Sequence, residues 1–395
     1  MAFRAPRAIP SLDGVRLIGL CFVVFAHLPM VAESEAYNAV WRLNQATKVG
    51  YLLLDLFFSL SGFLITRLLL AEKVAFGRIS FTRFYARRAL RILPIYYLTL
   101  AACIVVFHFK PGEIAALATY TFNIYHPLVP LPNAMEHTWS LSVEEQFYLV
   151  WPMLIALTPI RFGLLVTGRI IPAIAFLCAV IVTVTVPLSE NELAGNLIYM
   201  LPVTRMVSLS LGAWVAFREL ADKPIPDRWL LAMFIAAICF VIGDKISRDH
   251  HLIVSQGAYW TLSLTGFGLM SMSVLGALVF SGNRVVLLGG RILSLQAMRA
   301  GGRATYGGYL YHLPILYYLG LNDAAVNGAK MPIARVALAL GLTIVVTAFS
   351  YRFIEGPLLS RKNRIARVAP GPIRQPDPAS PPTATGAAGL GIVGE

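Results

Sequence analysis

The chain has 395 residues, of which 33 are Lys or Arg and 20 Asp or Glu, for a net charge of +13, and 57% are hydrophobic. Charged residues make up 13%, against about 25% in a soluble domain, which excludes an ordinary soluble protein and a disordered chain and leaves an all-α, polytopic integral membrane protein. Cys21, Cys103, Cys178 and Cys239 all lie inside apolar runs without CxxC spacing, so neither a disulfide framework nor a metal site is expected.

Ten apolar runs stand out, at roughly 17–32, 50–70, 90–109, 142–158, 170–187, 197–217, 228–242, 257–281, 303–320 and 333–354. Most reach the ~20 residues that a helix needs to cross about 30 Å of hydrocarbon, so about ten transmembrane helices are expected. With the N-terminus inside, the inner segments hold 22 basic residues and the outer segments 6. The positive-inside rule then places both termini in the cytoplasm, and topology accounts for the basic excess without a nucleic-acid partner.

The first run is interrupted at its start by Asp13 and Arg16 and no A-x-A site follows it, so a retained helix is expected rather than a cleaved signal peptide. At 100° per residue, Arg16 and His27 fall within about 20° of one face and Asp13 within about 60° of both, a polar stripe on an apolar helix. A rise of 1.5 Å per residue puts His27 about 15 Å deep, Ser61 about 16 Å down the second run, Arg205 about 12 Å down the sixth and His312 about 14 Å up the ninth. These four side chains are expected to converge near the midplane, where an ionisable group costs roughly 2.5–3.5 kcal/mol and calls for a partner or a function. The structural alternatives are packing histidines, a small-residue contact at Ser61-Gly62 and an ion pair at Arg205.

Residues 81–98, FTRFYARRALRILPIYYL, gather Arg83, Arg87, Arg88 and Arg91 at the cytoplasmic mouth, with Arg87 and Arg91 as i+4 neighbours and Arg88 pointing elsewhere. Such a fork suits the phosphate oxygens of a diphosphate-bearing donor, or lipid headgroups. Residues 110–141 are expected to form a folded loop on the outer interface. The segment HTWSLSVEEQFYLVWP, residues 137–152, opens the fourth helix at the outer surface, where Ser142 and Glu145 fit a capping box. Glu144 falls outside that box and shares a face with Tyr148, as a functional acid or a second carboxylate at the helix N-terminus. His137, just before the helix, is read as a ligand-binding or an interfacial residue. Residues 361–395 lack periodicity and aromatics and are expected as a disordered cytoplasmic tail on a single 1–360 transmembrane domain. No internal repeat is visible, and GxxxxGK[ST], HExxH, GxSxG and a strand-linked GxGxxG are absent, so ATP-driven transport, zinc hydrolysis, hydrolase-type acyl transfer and dinucleotide redox chemistry lack their motifs.

SLDGVRLIGLCFVVFAH resembles the opening of the membrane-bound acyltransferase 3 family of O-antigen and exopolysaccharide O-acetylases and nodulation-factor acetylases, in its Arg, ten residues, then His. LFFSLSGFLIT, FYARRALRILPIYYL, HTWSLSVEEQFYLVWP, ATYGGYLYHLPIL and FSYRFIEGPLL resemble the same family in the same order, over about residues 10–360. The resemblance implies that Arg16 and His27 are the family's essential pair, Arg87, Arg88 and Arg91 its basic cluster, and Glu144 its acid. It departs at Ser208, where members often carry an acid three residues after the Arg matched by Arg205, and at Gly356, where a basic residue is common.

The same resemblance implies an O-acyltransferase of the bacterial inner membrane. It takes acyl-CoA, in the first instance acetyl-CoA, from the cytoplasm as co-substrate, needs no further cofactor, and modifies a hydroxyl of a surface glycan or lipid-linked saccharide from the outer side. His27, with an unperturbed pKa of about 6.5, suits the base. Glu144 then serves the acceptor, Arg16 with Arg87, Arg88 and Arg91 holds the donor, and Ser61, Arg205 and His312 form a candidate midplane site. A glycan flippase or solute transporter would use ten helices and midplane polar groups equally well.

Overall fold

The computed structural model describes residues 8–31, 33–47, 49–130, 133–249, 255–321 and 331–360. In chain order these form α1 (Ser11–His27), α2 (Glu35–Thr47), α3 (Val49–Phe76), α4 (Phe81–Val106), α5 (Pro111–Ala118), α6 (Phe122–Leu128), α7 (Trp139–Leu157), α8 (Gly163–Leu165), α9 (Ile171–Thr185), α10 (Asn191–Met200), α11 (Pro202–Leu220), α12 (Asp227–Asp249), α13 (Gln256–Phe280), α14 (Arg284–Leu293), α15 (Gln296–Arg303), α16 (Thr305–Tyr318) and α17 (Ile333–Ser350). The architecture is all-α, as expected. Among the described residues the extended pairing is an isolated parallel bridge, Val31 with Met331. The stretch 361–395, read above as a tail, lies outside the described residues.

Among the described residues six stretches are long and apolar enough to cross a membrane: Gly50–Phe76, Phe81–Val106, Ile160–Thr185, Leu188–Leu220, Gln256–Phe280 and Ile333–Ser360. The chain is a multi-pass membrane protein, but ten such helices are not found among the described residues. The other four apolar runs became α1, α7, α12 and α16. The 17 residues of α1 and the 14 of α16 reach about 26 Å and 21 Å, short of the ~30 Å core. α7 opens on the polar stretch SVEEQ, which lowers its hydropathy.

Local chemistry moved two helix ends from their expected places. Leu28 precedes Pro29, and the proline ring disfavours helical backbone in the residue before it; Leu28 is extended at φ −76°, ψ 146°. The first run was read on to residue 32, whereas α1 ends at His27. At the other end of the site, α7 starts at Trp139, so the Ser142–Glu145 capping box is not made. Ser142 Oγ donates back to the Thr138 carbonyl at 3.3 Å, and Glu145 faces a partly open cavity.

The frame that positions the site is the parallel pair α3 and α11, tied at three levels. At one end Asp55 Oδ2 accepts from Arg205 Nη1 at 2.9 Å and Asp55 Oδ1 from Ser208 Oγ at 2.5 Å. In the middle, a Cβ on Gly62 would stand 1.9 Å from the Leu209 carbonyl oxygen, and one on Gly212 would stand 1.9 Å from that of Ser59. The two backbones are therefore in direct contact, the small-residue packing expected at Gly62. At the far end Arg67 grips Glu219 with two 2.7 Å bonds. α7 joins this pair: Trp151 Nε1 donates to Thr66 Oγ1 at 2.8 Å, and Lys73 Nζ caps the last carbonyls of α7 at Ile155, Ala156 and Thr158, where a cation is favoured. The described residues of 110–141 are folded, with buried Glu113 accepting from Lys110 N and Asn133 Nδ2.

Candidate active site

Helices α1, α3, α4, α7 and α16 line a partly open cavity of about 110 Å³. Arg16 enters it from α1, Ser61 from α3, Arg88 and Arg91 from α4, Glu144, Glu145 and Tyr148 from α7, and Tyr306 and Tyr309 from α16. Three guanidinium groups and two carboxyl groups thus face one small space. The larger cavity between α12, α13 and α14, about 610 Å³, is lined mainly by apolar side chains and gathers no such set.

Glu144 is held by two hydroxyl groups in the site. Its Oε1 accepts from Ser61 Oγ at 2.6 Å, and the Tyr148 hydroxyl lies 3.1 Å from both Glu144 Oε2 and Ser61 Oγ. Sequence arithmetic put Glu144 well outward of Ser61. The structure brings them into contact, because α7 begins three residues early and descends alongside α3. The i, i+4 relation of Glu144 and Tyr148 holds.

The arginines divide differently from their expected grouping. Arg88 and Arg91 line the cavity, and the Arg88 guanidinium lies over the Tyr148 ring at 5.1 Å and the Phe84 ring at 5.8 Å. Arg87 does not line it; its Nη2 faces Glu72 at 3.8 Å, beside the turn between α3 and α4. The rotation of α4 against α3 selects the i, i+3 pair and not Arg87 with Arg91. Among the described residues no carboxylate lies within 4.0 Å of Arg88 or Arg91, whereas Arg16 is 3.8 Å from Asp13.

The four expected midplane groups do not form one site. Ser61 belongs to the Glu144 cavity. Arg205, 1% exposed, pairs with Asp55, donates from Nε to the Tyr199 carbonyl at 2.6 Å and lies among the rings of Tyr199, Trp139 and Phe58. It is an ion-pair member joining α3, α10 and α11, the structural alternative, and Ser208 at the position of the family's acid supplies a hydroxyl to the same carboxylate.

His27 and His312 do meet, with ring centroids 5.1 Å apart, and His137 joins them, 4.8 Å from His312. Tyr309 separates this group from the cavity. Its ring faces His137 at 5.0 Å and His312 at 5.6 Å, and its hydroxyl donates to the His137 carbonyl at 2.7 Å with Ser140 Oγ 2.6 Å away. Among the described residues no group of three or more His, Cys, Asp or Glu side chains is arranged to hold a metal ion.

A family model described as an acyltransferase domain matches residues 9–352. The chain belongs to the acyltransferase 3 family. This member is similar to peptidoglycan O-acetyltransferase OatA of Listeria monocytogenes, 27% identical over 382 residues that cover 90% of this chain and 56% of that relative. It is similar also to O-acetyltransferase OatA of Staphylococcus aureus, 26% identical over 381 residues covering 90% and 58%. It spans little more than half the length of these relatives. No solved structure matches it.

Three site residues were missed or undervalued in the acyltransferase 3 reading of the sequence. Asp55, a lone acid in YLLLDLFFSL, is the partner that buried Arg205 demanded. Tyr309 gave no signal beyond lying one turn from His312. In sequence His137 reads as a ligand-binding or an interfacial residue without its two histidine neighbours, which come from distant segments.

Proposed function

We propose that this chain is an O-acyltransferase that moves an acyl group, in the first instance acetyl, from acyl-CoA to a hydroxyl of a cell-wall or surface glycan. The observation that carries the reading is the cavity in which Arg16, Arg88 and Arg91 meet the Ser61–Glu144–Tyr148 cluster, with Tyr309 on its wall packed against His137 and His312, and His312 in turn against His27. The Arg88 and Arg91 forks, with no carboxylate within 4.0 Å among the described residues, suit the phosphates of a nucleotide donor. Glu144, held by two hydroxyls, balances their charge and orients the reacting end of the donor. His27 Nδ1 lies 2.8 Å from the Val23 carbonyl; a carbonyl only accepts, so Nδ1 carries the proton and Nε2 keeps the lone pair that a base needs.

In this reading α1, α7, α12 and α16 complete ten crossings of a bacterial plasma membrane, the arginine-rich end and both termini face the cytoplasm, and 361–395 is a tail outside the catalytic unit. The chain's similarity to the peptidoglycan O-acetyltransferase OatA of Listeria monocytogenes supports a glycan acceptor. Radiolabelled acetyl-CoA and a tetramer of β-1,4-linked N-acetylglucosamine, given to the full chain in lipid nanodiscs, test it. Label should move into base-labile ester on the saccharide, and His27→Ala should lose this transfer while CoA still binds. Saccharide transport across a vesicle membrane without ester formation would favour the flippase.

A further inference from the structure

His137 is 2% exposed and His312 0%, yet among the described residues neither ring nitrogen of His137, nor Nε2 of His312, has a hydrogen-bond partner. A buried polar atom left unpaired costs about 1–3 kcal/mol, so three such atoms in one place ask what meets them. The tautomers narrow the answer. His312 Nδ1 lies 2.6 Å from the Tyr309 carbonyl, so, like His27, it carries its proton there and turns a lone pair on Nε2 to its neighbours. Neutral His137 adds one donor and one acceptor. The group therefore offers three acceptors and one donor, and His27, only half-buried, is its open side.

We propose that His27, His137 and His312 form the acceptor site, in which His137 and His312 bind hydroxyls of a neutral, polyhydroxylated substrate. A carboxylate or phosphate brings acceptors to a site short of donors, and an ammonium would leave the His137 N–H unmet. A hydroxyl both donates and accepts, and a saccharide carries several close together, so one hydroxyl faces His27 while a second reaches His137 and His312. The inference rests on the acyl-transfer reading. In the step it serves, the hydroxyl proton passes to His27 Nε2, the freed oxygen bonds to the acyl carbon, the bond from that carbon to the thioester sulfur breaks, and the imidazolium returns its proton to the leaving thiolate. Tyr309 stands between this site and the donor cavity.

The test uses the full chain in nanodiscs with acetyl-CoA and the N-acetylglucosamine tetramer. Transfer by the unaltered protein checks the acyl-transfer reading first; its absence would overturn that reading and this one together. Given transfer, His137→Phe and His312→Gln should each raise KM for the saccharide by roughly tenfold or more, with CoA affinity within about twofold of the original. Melting temperature for His137→Phe should be unchanged or higher, because the ring packing stays and two unpaired atoms go. His137→Gln, which keeps a donor and an acceptor, should restore part of the saccharide affinity. An unchanged saccharide KM in the His137 variants, or a loss that follows melting temperature, would overturn the assignment.

Discussion

Arg88→Gln and Arg91→Gln are expected to weaken CoA binding, while Arg87→Gln leaves it nearly unchanged. The three arginines occupy adjacent turns of one helix and look equivalent in sequence; the structure sends two into the cavity and pairs the third with Glu72 at 3.8 Å. A charge-assisted hydrogen bond contributes about 1.5–3 kcal/mol, which at ~1.4 kcal/mol per factor of ten is a roughly 10- to 150-fold loss of affinity per arginine. Among the described residues Arg88 and Arg91 have no carboxylate within 4.0 Å to satisfy them otherwise, so the phosphate contact is the one at stake. Arg88→Lys should fall between, since it keeps the charge but loses the planar fork over Tyr148. Equilibrium binding of tritiated CoA to the purified protein in nanodiscs, at low and at physiological ionic strength, reads each effect. A loss in Arg87→Gln as large as in Arg88→Gln, or no loss in any of the three, would refute the placement of the donor in this cavity.

Asp55→Ala should cost about 3–5 kcal/mol of stability by leaving Arg205 charged and unpaired, and Asp55→Leu combined with Arg205→Met should recover much of it; equal losses in single and double variants on denaturation would contradict the pair's isolation. Gly212→Ala places a methyl 1.9 Å from the Ser59 carbonyl oxygen and, by forcing α3 and α11 apart, should cost about 1–3 kcal/mol, with an unchanged melting temperature as the contrary result. Burial pushes the Glu136 carboxyl, in the loop before α7, up to about 7, offset in part by a backbone hydrogen bond from Asn133. Between its ordinary value and 7 the folded state holds the proton more tightly, so its contribution favours folding at low pH and is lost as pH rises; Glu136→Gln should flatten that decline, and a melting temperature equally pH-dependent in both proteins would dismiss it.

Properties that repeat along one helix were legible from the chain alone. Unbroken apolar runs of about 20 residues read as membrane-spanning helices, which satisfy their own backbone in hydrocarbon. The shared polar face of Arg16 and His27, the small-residue contact at Gly62 and the pairing of Glu144 with Tyr148 all follow from a period of 3.6 residues. What local periodicity leaves open is how far each helix is slid and turned against its neighbours, and that is set by contacts between distant segments. The early start of α7, and its packing along α3 through Trp151 with Thr66 and Lys73 with the last α7 carbonyls, bring Glu144 level with Ser61. The rotation of α4 turns Arg88 and Arg91 into the cavity and Arg87 out of it. Asp55 takes Arg205 away from the site, and α16 carries His312 to a place where His27 and His137, 110 residues apart in sequence, both reach it. A helix fixes the direction of a side chain only relative to its own axis; which group it meets is decided when the axes pack.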